Sequence, residues 1–420
     1  MTAEELRKKH PVFTYESFSY RFAGNNFVMS FVFRVKPDIQ FTPRVVIKNA
    51  GKGRVETIPL EILDNLVFHI GLAEIPSYWK AALSPTIEIA AGVLAKPQIV
   101  FWQDLLWNGL SEFCYQNKIG IPKSAFVKIA SLGERKFEAE RLPVKERVLV
   151  PLGGGKDSIV TLEMLKGERE DLGIFVLNPQ RFHKKVIKIS GITRAIFAER
   201  EIHKKLLALN RAGYLNGHTP FSAYLAFIST LIAVFFGYSR IAVSNEKSAD
   251  EPNLVWNGRK INHQYSKSSD FEKKFQAYAA SYLVKNIEYK SFLRKFYEID
   301  IAKMFAGYPQ YFGAFLSCNR GFRKGRWCGK CPKCLFAYLI LYPYLDIRAR
   351  KKIFKKDLFR NRALIPLAKS FLGVGGPKPF ECVGTKAEVK KAFRLATKKA
   401  LKEKSALPPV LAYVRKYIAV

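Results

Sequence analysis

Between residues 13 and 58 aromatic and β-branched residues alternate with polar ones in the short runs SFSYRF, NFVMSFVFRV and RVVIKN, parted by the turn formers Ala23-Gly24-Asn25-Asn26 and Asn49-Ala50-Gly51. A period of two sends successive side chains to opposite faces of a strand, so this stretch predicts an antiparallel sheet. From residue 59 to 119 the texture is more helical, and Trp79, Trp102, Trp107 and Tyr115 recur too irregularly to mark one face. Residues 1–143 are therefore expected to form an N-terminal α+β domain. After Leu142-Pro143 the pattern changes to short, wholly apolar runs, RVLVPL, GIFVL and RIAVS, separated by helical stretches. Strands apolar on both faces belong to a parallel, doubly wound α/β sheet, expected over residues 144–345. Beyond it, residues 346–420 read as a basic helical region interrupted at Gly373-Val374-Gly375-Gly376-Pro377. The apolar run over residues 221–237 is slightly short for a membrane span and contains Ser222, Ser229 and Thr230, so a buried core helix is expected there.

The composition of the 420 residues, 48% of them hydrophobic, supports more than one core. Lys and Arg number 70 against 35 Asp and Glu, a net charge of +35 that attracts anions over a long range. The densest basic runs, at 348–356 and 386–404, fall on amphipathic helices and read as solvated faces; nucleic acid stays open as a partner, and nucleotide phosphates gain from the same field. The opening MTAEELRKKH has no apolar stretch behind it, which argues against a secretory signal and for the cytoplasm.

Two motifs carry chemistry. The strand-like Val148-Leu149-Val150-Pro151-Leu152 runs into Gly153-Gly154-Gly155-Lys156-Asp157-Ser158 and then into a helical stretch. Glycines let backbone amides close around phosphate oxygens, and the helix N-terminus adds unpaired N–H groups and its dipole. The loop has neither the spacing of a Walker A motif nor that of a dinucleotide-binding turn. Asp157 is a candidate Mg²⁺ ligand. Glu246, just past the strand ending near Val243, is placed as a second Mg²⁺ or substrate contact, because ligands of open α/β sheets bind beyond the carboxyl ends of the strands. Cys318, Cys328, Cys331 and Cys334 form the second motif, C-x9-C-x2-C-x2-C. Close thiols in a chain read as cytosolic suggest metal rather than disulfides; a tetrahedral Cys₄ set suits structural Zn²⁺, with an iron–sulfur cluster as the rival.

The glycine loop resembles the SGGxDS signature of PP-loop (N-type) ATP pyrophosphatases, with Gly153 at the signature's serine and Gly154, Gly155, Asp157 and Ser158 matching the rest. That resemblance implies an adenine-nucleotide α-hydrolase-like fold, ATP bound at residues 153–158, and cleavage of ATP at the α-phosphate to form an adenylate. A PP-loop domain followed by a cysteine cluster is also found in the cyano-deazaguanine synthases. Further stretches narrow the likeness: Phe68-His69-Ile70-Gly71-Leu72, Ser77-Tyr78-Trp79-Lys80, Trp256-Asn257-Gly258-Arg259, Asn262-His263-Gln264-Tyr265-Ser266-Lys267-Ser268, Cys318 through Cys328, and Lys378-Pro379-Phe380-Glu381-Cys382-Val383-Gly384. Together they resemble the UDP-N-acetylmuramoyl-L-alanyl-L-glutamate epimerase family across nearly the whole chain. The resemblance implies ATP- and Mg²⁺-dependent inversion of the terminal glutamate of a UDP-muramoyl dipeptide in peptidoglycan synthesis.

Epimerisation needs groups that move a proton at the α-carbon, and His263 and Cys382 are the candidates, with His218 a third possibility or a substrate contact. Lys267, Arg320, Arg323 and Arg326 are candidates to hold the substrate's diphosphate or carboxylates. Two other functions remain consistent with the residues: a PP-loop enzyme that adenylates a tRNA base, and a non-catalytic basic zinc module that binds RNA.

Overall fold

The computed structural model describes residues 1–403 and 406–418. Thirteen strands are present among them: β1 (Val12–Ala23), β2 (Asn26–Val35), β3 (Ile39–Phe41), β4 (Arg44–Ile47), β5 (Thr86–Ile89), β6 (Lys128–Ser131), β7 (Lys145–Pro151), β8 (Leu172–Leu177), β9 (Ala195–Glu201), β10 (Tyr238–Val243), β11 (Leu254–Trp256), β12 (Arg259–Ile261) and β13 (Glu288–Ser291). All but β11 and β12 lie in one sheet of order β13-β10-β7-β8-β9-β4-β2-β1-β5-β6, with β3 on β2.

The alternating N-terminal runs form the expected antiparallel segment, in which β2 pairs with β1, β3 and β4. The apolar runs form the parallel segment β13-β10-β7-β8-β9. Antiparallel pairing of β4 with β9, from Arg44 opposite Glu201 to Ile47 opposite Ala198, makes the two segments one continuous sheet. The first 143 residues and the glycine-loop region thus share a hydrogen-bonded backbone.

Why the parallel strands read as unbroken apolar runs is visible in their packing. Along β7, Val148 and Val150 enter one hydrophobic core and Leu149 the other; along β10, Ala242 enters the first, and Ile241 and Val243 the second. Both faces of the sheet are covered, so consecutive positions from Val148 to Pro151 and from Ile241 to Val243 are all buried. The helix Lys156–Gly167 lies in the first core, and Phe221–Phe236 in the second, where it packs against Leu60–Trp79. The run at 221–237 is thus a core helix, ended by Gly237 in the left-handed region at φ 72°. Among the described residues no helix is long and apolar enough to cross a membrane.

The basic run after residue 386 forms the helix Lys386–Lys402, opened by a reciprocal cap between Thr385 and Glu388. It buries Val389, Ala392, Phe393, Ala396 and Ala400 and leaves Lys390, Lys391 and Lys398 exposed, the solvated face expected of it. Lys404, at the end of that run, lies outside the described residues.

Candidate active site

β7 ends at Pro151, and the glycine loop joins it to the N-terminus of the helix Lys156–Gly167. Gly154 sits at φ 76°, and a Cβ there would lie 2.4 Å from the Phe182 ring, so backbone and packing both demand glycine. A Cβ on Gly155 would meet Ser317 Oγ at 2.7 Å, whereas one on Gly153 would meet nothing within 4 Å. Crowding therefore does not require glycine at position 153. The Leu316 amide donates to the Gly154 carbonyl at 2.9 Å and ties the loop to the segment that enters the cysteine cluster.

Lys156 does not reach across the loop. Its ammonium is buried and makes ion pairs with Asp157 and with Glu298, which the helix Glu298–Ala306 brings in from its first turn. Burial disfavours the charge on Lys156, but the two carboxylates outweigh it and push the pKa up. Glu298 is pushed up by its own burial, and the charges of Asp157 and Glu246 add to the push. Two lysines, Lys156 and Lys267, face three carboxylates in one low-dielectric place, which leaves the carboxylates in excess. Glu246 is buried as well, and neither of its carboxylate oxygens has a hydrogen-bond partner among the described residues. Burial raises its pKa, and Asp157 adds to this against the opposing pull of Lys267. Asp157 and the unpartnered Glu246 offer carboxylate oxygens of the hard kind that a divalent cation prefers.

On the other side of the cleft stand residues far apart in sequence. The short turn Tyr265–Lys267 delivers Lys267, whose Nζ lies 3.7 Å from Cys382 Sγ. Burial alone would raise the Cys382 thiol, but Lys267, Lys333 and a hydrogen bond with His263 hold it well below the usual thiol range. His263 follows β12 and is fixed by its backbone N–H, which donates to Asn253 Oδ1 at 3.0 Å, and by its Nδ1, 2.5 Å from Glu112 Oε2. Burial would lower its pKa, but contacts with Cys382 and Glu112 win and raise it to about 9. The surroundings of the pair thus favour the thiolate–imidazolium form over the neutral one. His218 lies 3.5 Å from the same Glu112 oxygen, and burial, with the charges of His263 and Lys80, lowers its pKa to about 3. It is a neutral neighbour rather than a second cation.

The four clustered thiols lie within 4.8 Å of one another, with Sγ–Sγ distances of 3.8 Å for Cys318 and Cys331, 3.7 Å for Cys328 and Cys334, and 3.5 Å for Cys331 and Cys334. A single tetrahedral ion with metal–sulfur bonds of about 2.3 Å sets sulfurs about 3.8 Å apart. Backbone amides of Gly321 and Cys328 point at Cys318 Sγ, and that of Gly329 at Cys334 Sγ, as thiolate ligands require. Gly321 is needed because a Cβ there would lie 1.8 Å from the Arg326 carbonyl oxygen.

Between two of these cysteines sits Lys333, which lines the same cleft as Gly153, Gly155, Asp157, Lys267 and Asn319. Arg320, Arg323 and Arg326 are exposed on the segment between Cys318 and Cys328. The fold thus brings together the glycine loop, Asp157, Glu246, Lys267, Cys382, His263 and His218. Sequence reasoning missed Glu298 and Glu112, and it missed that Lys333 lines the cleft. Lys333 had a local signal, its place inside a cysteine knuckle; Glu112 and Glu298 had none, since an acidic residue in the first turn of a helix is commonplace.

Residues 4–292 match the family model of the MurL N-terminal domain and residues 314–418 that of the MurL C-terminal domain. Among curated relatives, the UDP-N-acetyl-alpha-D-muramoyl-L-alanyl-L-glutamate epimerase of Salinispora tropica is 36% identical over 312 residues, 73% of this chain and 68% of that protein. Its namesake from Xanthomonas oryzae pv. oryzae is 31% identical over 330 residues, 77% of this chain and 72% of that protein. With both family models matched in order and these identities sustained over most of the sequence, the chain belongs to the MurL family, the UDP-N-acetylmuramoyl-L-alanyl-L-glutamate epimerases.

Proposed function

We propose that this chain inverts the terminal L-glutamate of UDP-N-acetylmuramoyl-L-alanyl-L-glutamate to D-glutamate for peptidoglycan synthesis, after activating the glutamate carboxyl with ATP. The observation that carries this reading is one cleft in which the glycine loop and Asp157 face Lys267, with Cys382 Sγ 3.7 Å beyond it. An activating half and a proton-moving half are within reach of one small substrate.

In this reading the loop is a PP-loop. The amides of residues 153–155 and the helix N-terminus hold the two outer phosphates, and a substrate carboxylate oxygen attacks the α-phosphorus. Pyrophosphate leaves and an acyl-adenylate remains. Asp157 and Glu246 would hold Mg²⁺, which when bound offsets phosphate charge; the two unpartnered oxygens of Glu246 fit that task. The four cluster thiolates would hold structural Zn²⁺, since their spacing suits one tetrahedral ion and the several metal atoms of an iron–sulfur cluster would spread them further.

Activation is needed because removing a proton next to a carboxylate piles charge on charge. Adenylation cancels the carboxylate charge and turns the carbonyl into an electron sink. The Cys382 thiolate, kept unprotonated by Lys267, Lys333 and His263, takes the α-proton. The His263 imidazolium then gives a proton to the α-carbon on the opposite face, and attack by water on the acyl-adenylate releases D-glutamate and AMP. Residues 1–143 contribute Glu112 to this site, residues 144–345 the loop and the cysteine cluster, and residues 346–420 Cys382.

The test is incubation with the UDP-muramoyl dipeptide, ATP and Mg²⁺ in D₂O. Deuterium is expected at the glutamate α-carbon, with one AMP and one pyrophosphate per activation, and Asp157→Ala is expected to abolish both. Release of ADP, or inversion that proceeds without ATP, would overturn the reading.

A further inference from the structure

The motif Trp256-Asn257-Gly258-Arg259 plays no part in the chemistry above. It forms the tip of the β11–β12 hairpin, where Asn257 at φ 48° and Gly258 at φ 74° make the tight turn. Beside it opens a groove of about 650 Å³, lined by Trp107, Lys123, Trp256, Asn257, Arg259 and Lys260. That volume falls in the range of small-molecule sites. The Arg259 guanidinium lies 3.6 Å over the Trp107 ring and donates to the Trp107 carbonyl, yet it has no carboxylate partner among the described residues, and its Nε has no hydrogen-bond partner. Behind it stands the Cys114 thiol, which burial pushes up and so keeps neutral. Lys260 is exposed on the same strand. A half-buried guanidinium with no carboxylate partner among the described residues, beside a second cation and two indole rings, is suited to an anion that carries a flat ring.

The groove is joined to the proton-moving pair. Arg259 is four residues before His263, a strand reach of at most about 14 Å. Trp256 packs on Tyr115 with ring centroids 5.7 Å apart, and Tyr115 packs on Phe380 at 5.4 Å, two residues before Cys382. Tyr115 shares the helix Ser111–Gln116 with Glu112. The muramoyl sugar, its lactyl link and the alanine lie between the diphosphate and the terminal glutamate, a reach of the same order as that strand span.

Building on the epimerase reading, we propose that this groove is the subsite for the nucleoside diphosphate end of the substrate, with the base against Trp256 and the diphosphate on Arg259 and Lys260. The glutamate then extends along β12 to His263 and Cys382.

The probe is UDP alone, titrated calorimetrically into the full chain and into Trp256→Ala and Lys260→Glu, with thermal melting to show that each variant is folded. Both substitutions are expected to weaken UDP at least tenfold and to raise KM for the whole substrate in step. No binding of UDP to the wild-type chain, or unchanged binding to both folded variants, would overturn the assignment. Weakening by Arg323→Glu alone would also overturn it, by placing the diphosphate over the cysteine segment. UDP binding does not depend on turnover. A chain that binds UDP here but incorporates no deuterium refutes the epimerase reading and keeps the subsite; a chain that epimerises with KM unmoved by Trp256→Ala does the reverse.

Discussion

Glu112 Oε2 lies 2.5 Å from His263 Nδ1, although 151 residues separate them. A carboxylate in the first part of the chain thus orients the imidazole that faces the Cys382 sulfur. Besides Cys382 and Glu112, the charged and titratable groups around this ring are His218 and Glu381.

Glu112→Gln keeps an oxygen for the hydrogen bond but removes the charge. Contact with Glu112 helps hold the His263 pKa at about 9, so its loss lowers that pKa. A step that needs the imidazolium fails as pH rises through the pKa, near 9 in the wild type and at lower pH in the variant. Glutamate α-deuteration should drop on the order of tenfold at pH 8, with the alkaline limb displaced toward acid. Superimposable pH profiles would dismiss the role of Glu112.

Gly154→Ala should be more damaging than its size suggests. The position combines φ 76° with a Cβ 2.4 Å from Phe182. The strain alone costs about 1–3 kcal/mol, and relieving it moves the loop. Pyrophosphate release should fall at least tenfold, while Gly153→Ser, whose Cβ has open space, should be tolerated. Equal activity of the two variants would show that the loop does not bind phosphate in this shape.

Lys156→Met leaves Glu298 buried without its cation, the lysine and glutamate side chains being 6% and 4% exposed. Breaking a buried pair on one side costs about 3–5 kcal/mol. Denaturant unfolding should report a loss of that order, and adding Glu298→Gln should recover part of it. Additive losses would mean that the two do not interact.

Metal analysis of the purified chain should find one zinc per molecule, reduced by Cys331→Ser. Because Lys333 lies between two ligands and also lines the cleft, chelation should lower both the melting temperature and the affinity for ATP. Retention of both after complete metal removal would separate the cluster from the site.

The sequence by itself determined whatever depends on neighbours within one or two turns of chain. The period of two in NFVMSFVFRV gave an antiparallel strand, and the apolar run through Val148 and Val150 gave a strand covered on both faces. Gly153 to Ser158 between strand and helix, and the close spacing of Cys328, Cys331 and Cys334, were legible for the same reason, because backbone geometry at those residues is set locally. The tertiary structure alone decided which side chains meet. Nothing around Glu112 points to His263, and nothing in a glycine loop shows whether Lys156 faces outward or, as found, turns in toward Glu298. That one sheet runs through both segments was likewise settled by β4 meeting β9. Such encounters depend on how whole elements pack, and a side chain carries the same local signal whether or not its partner arrives.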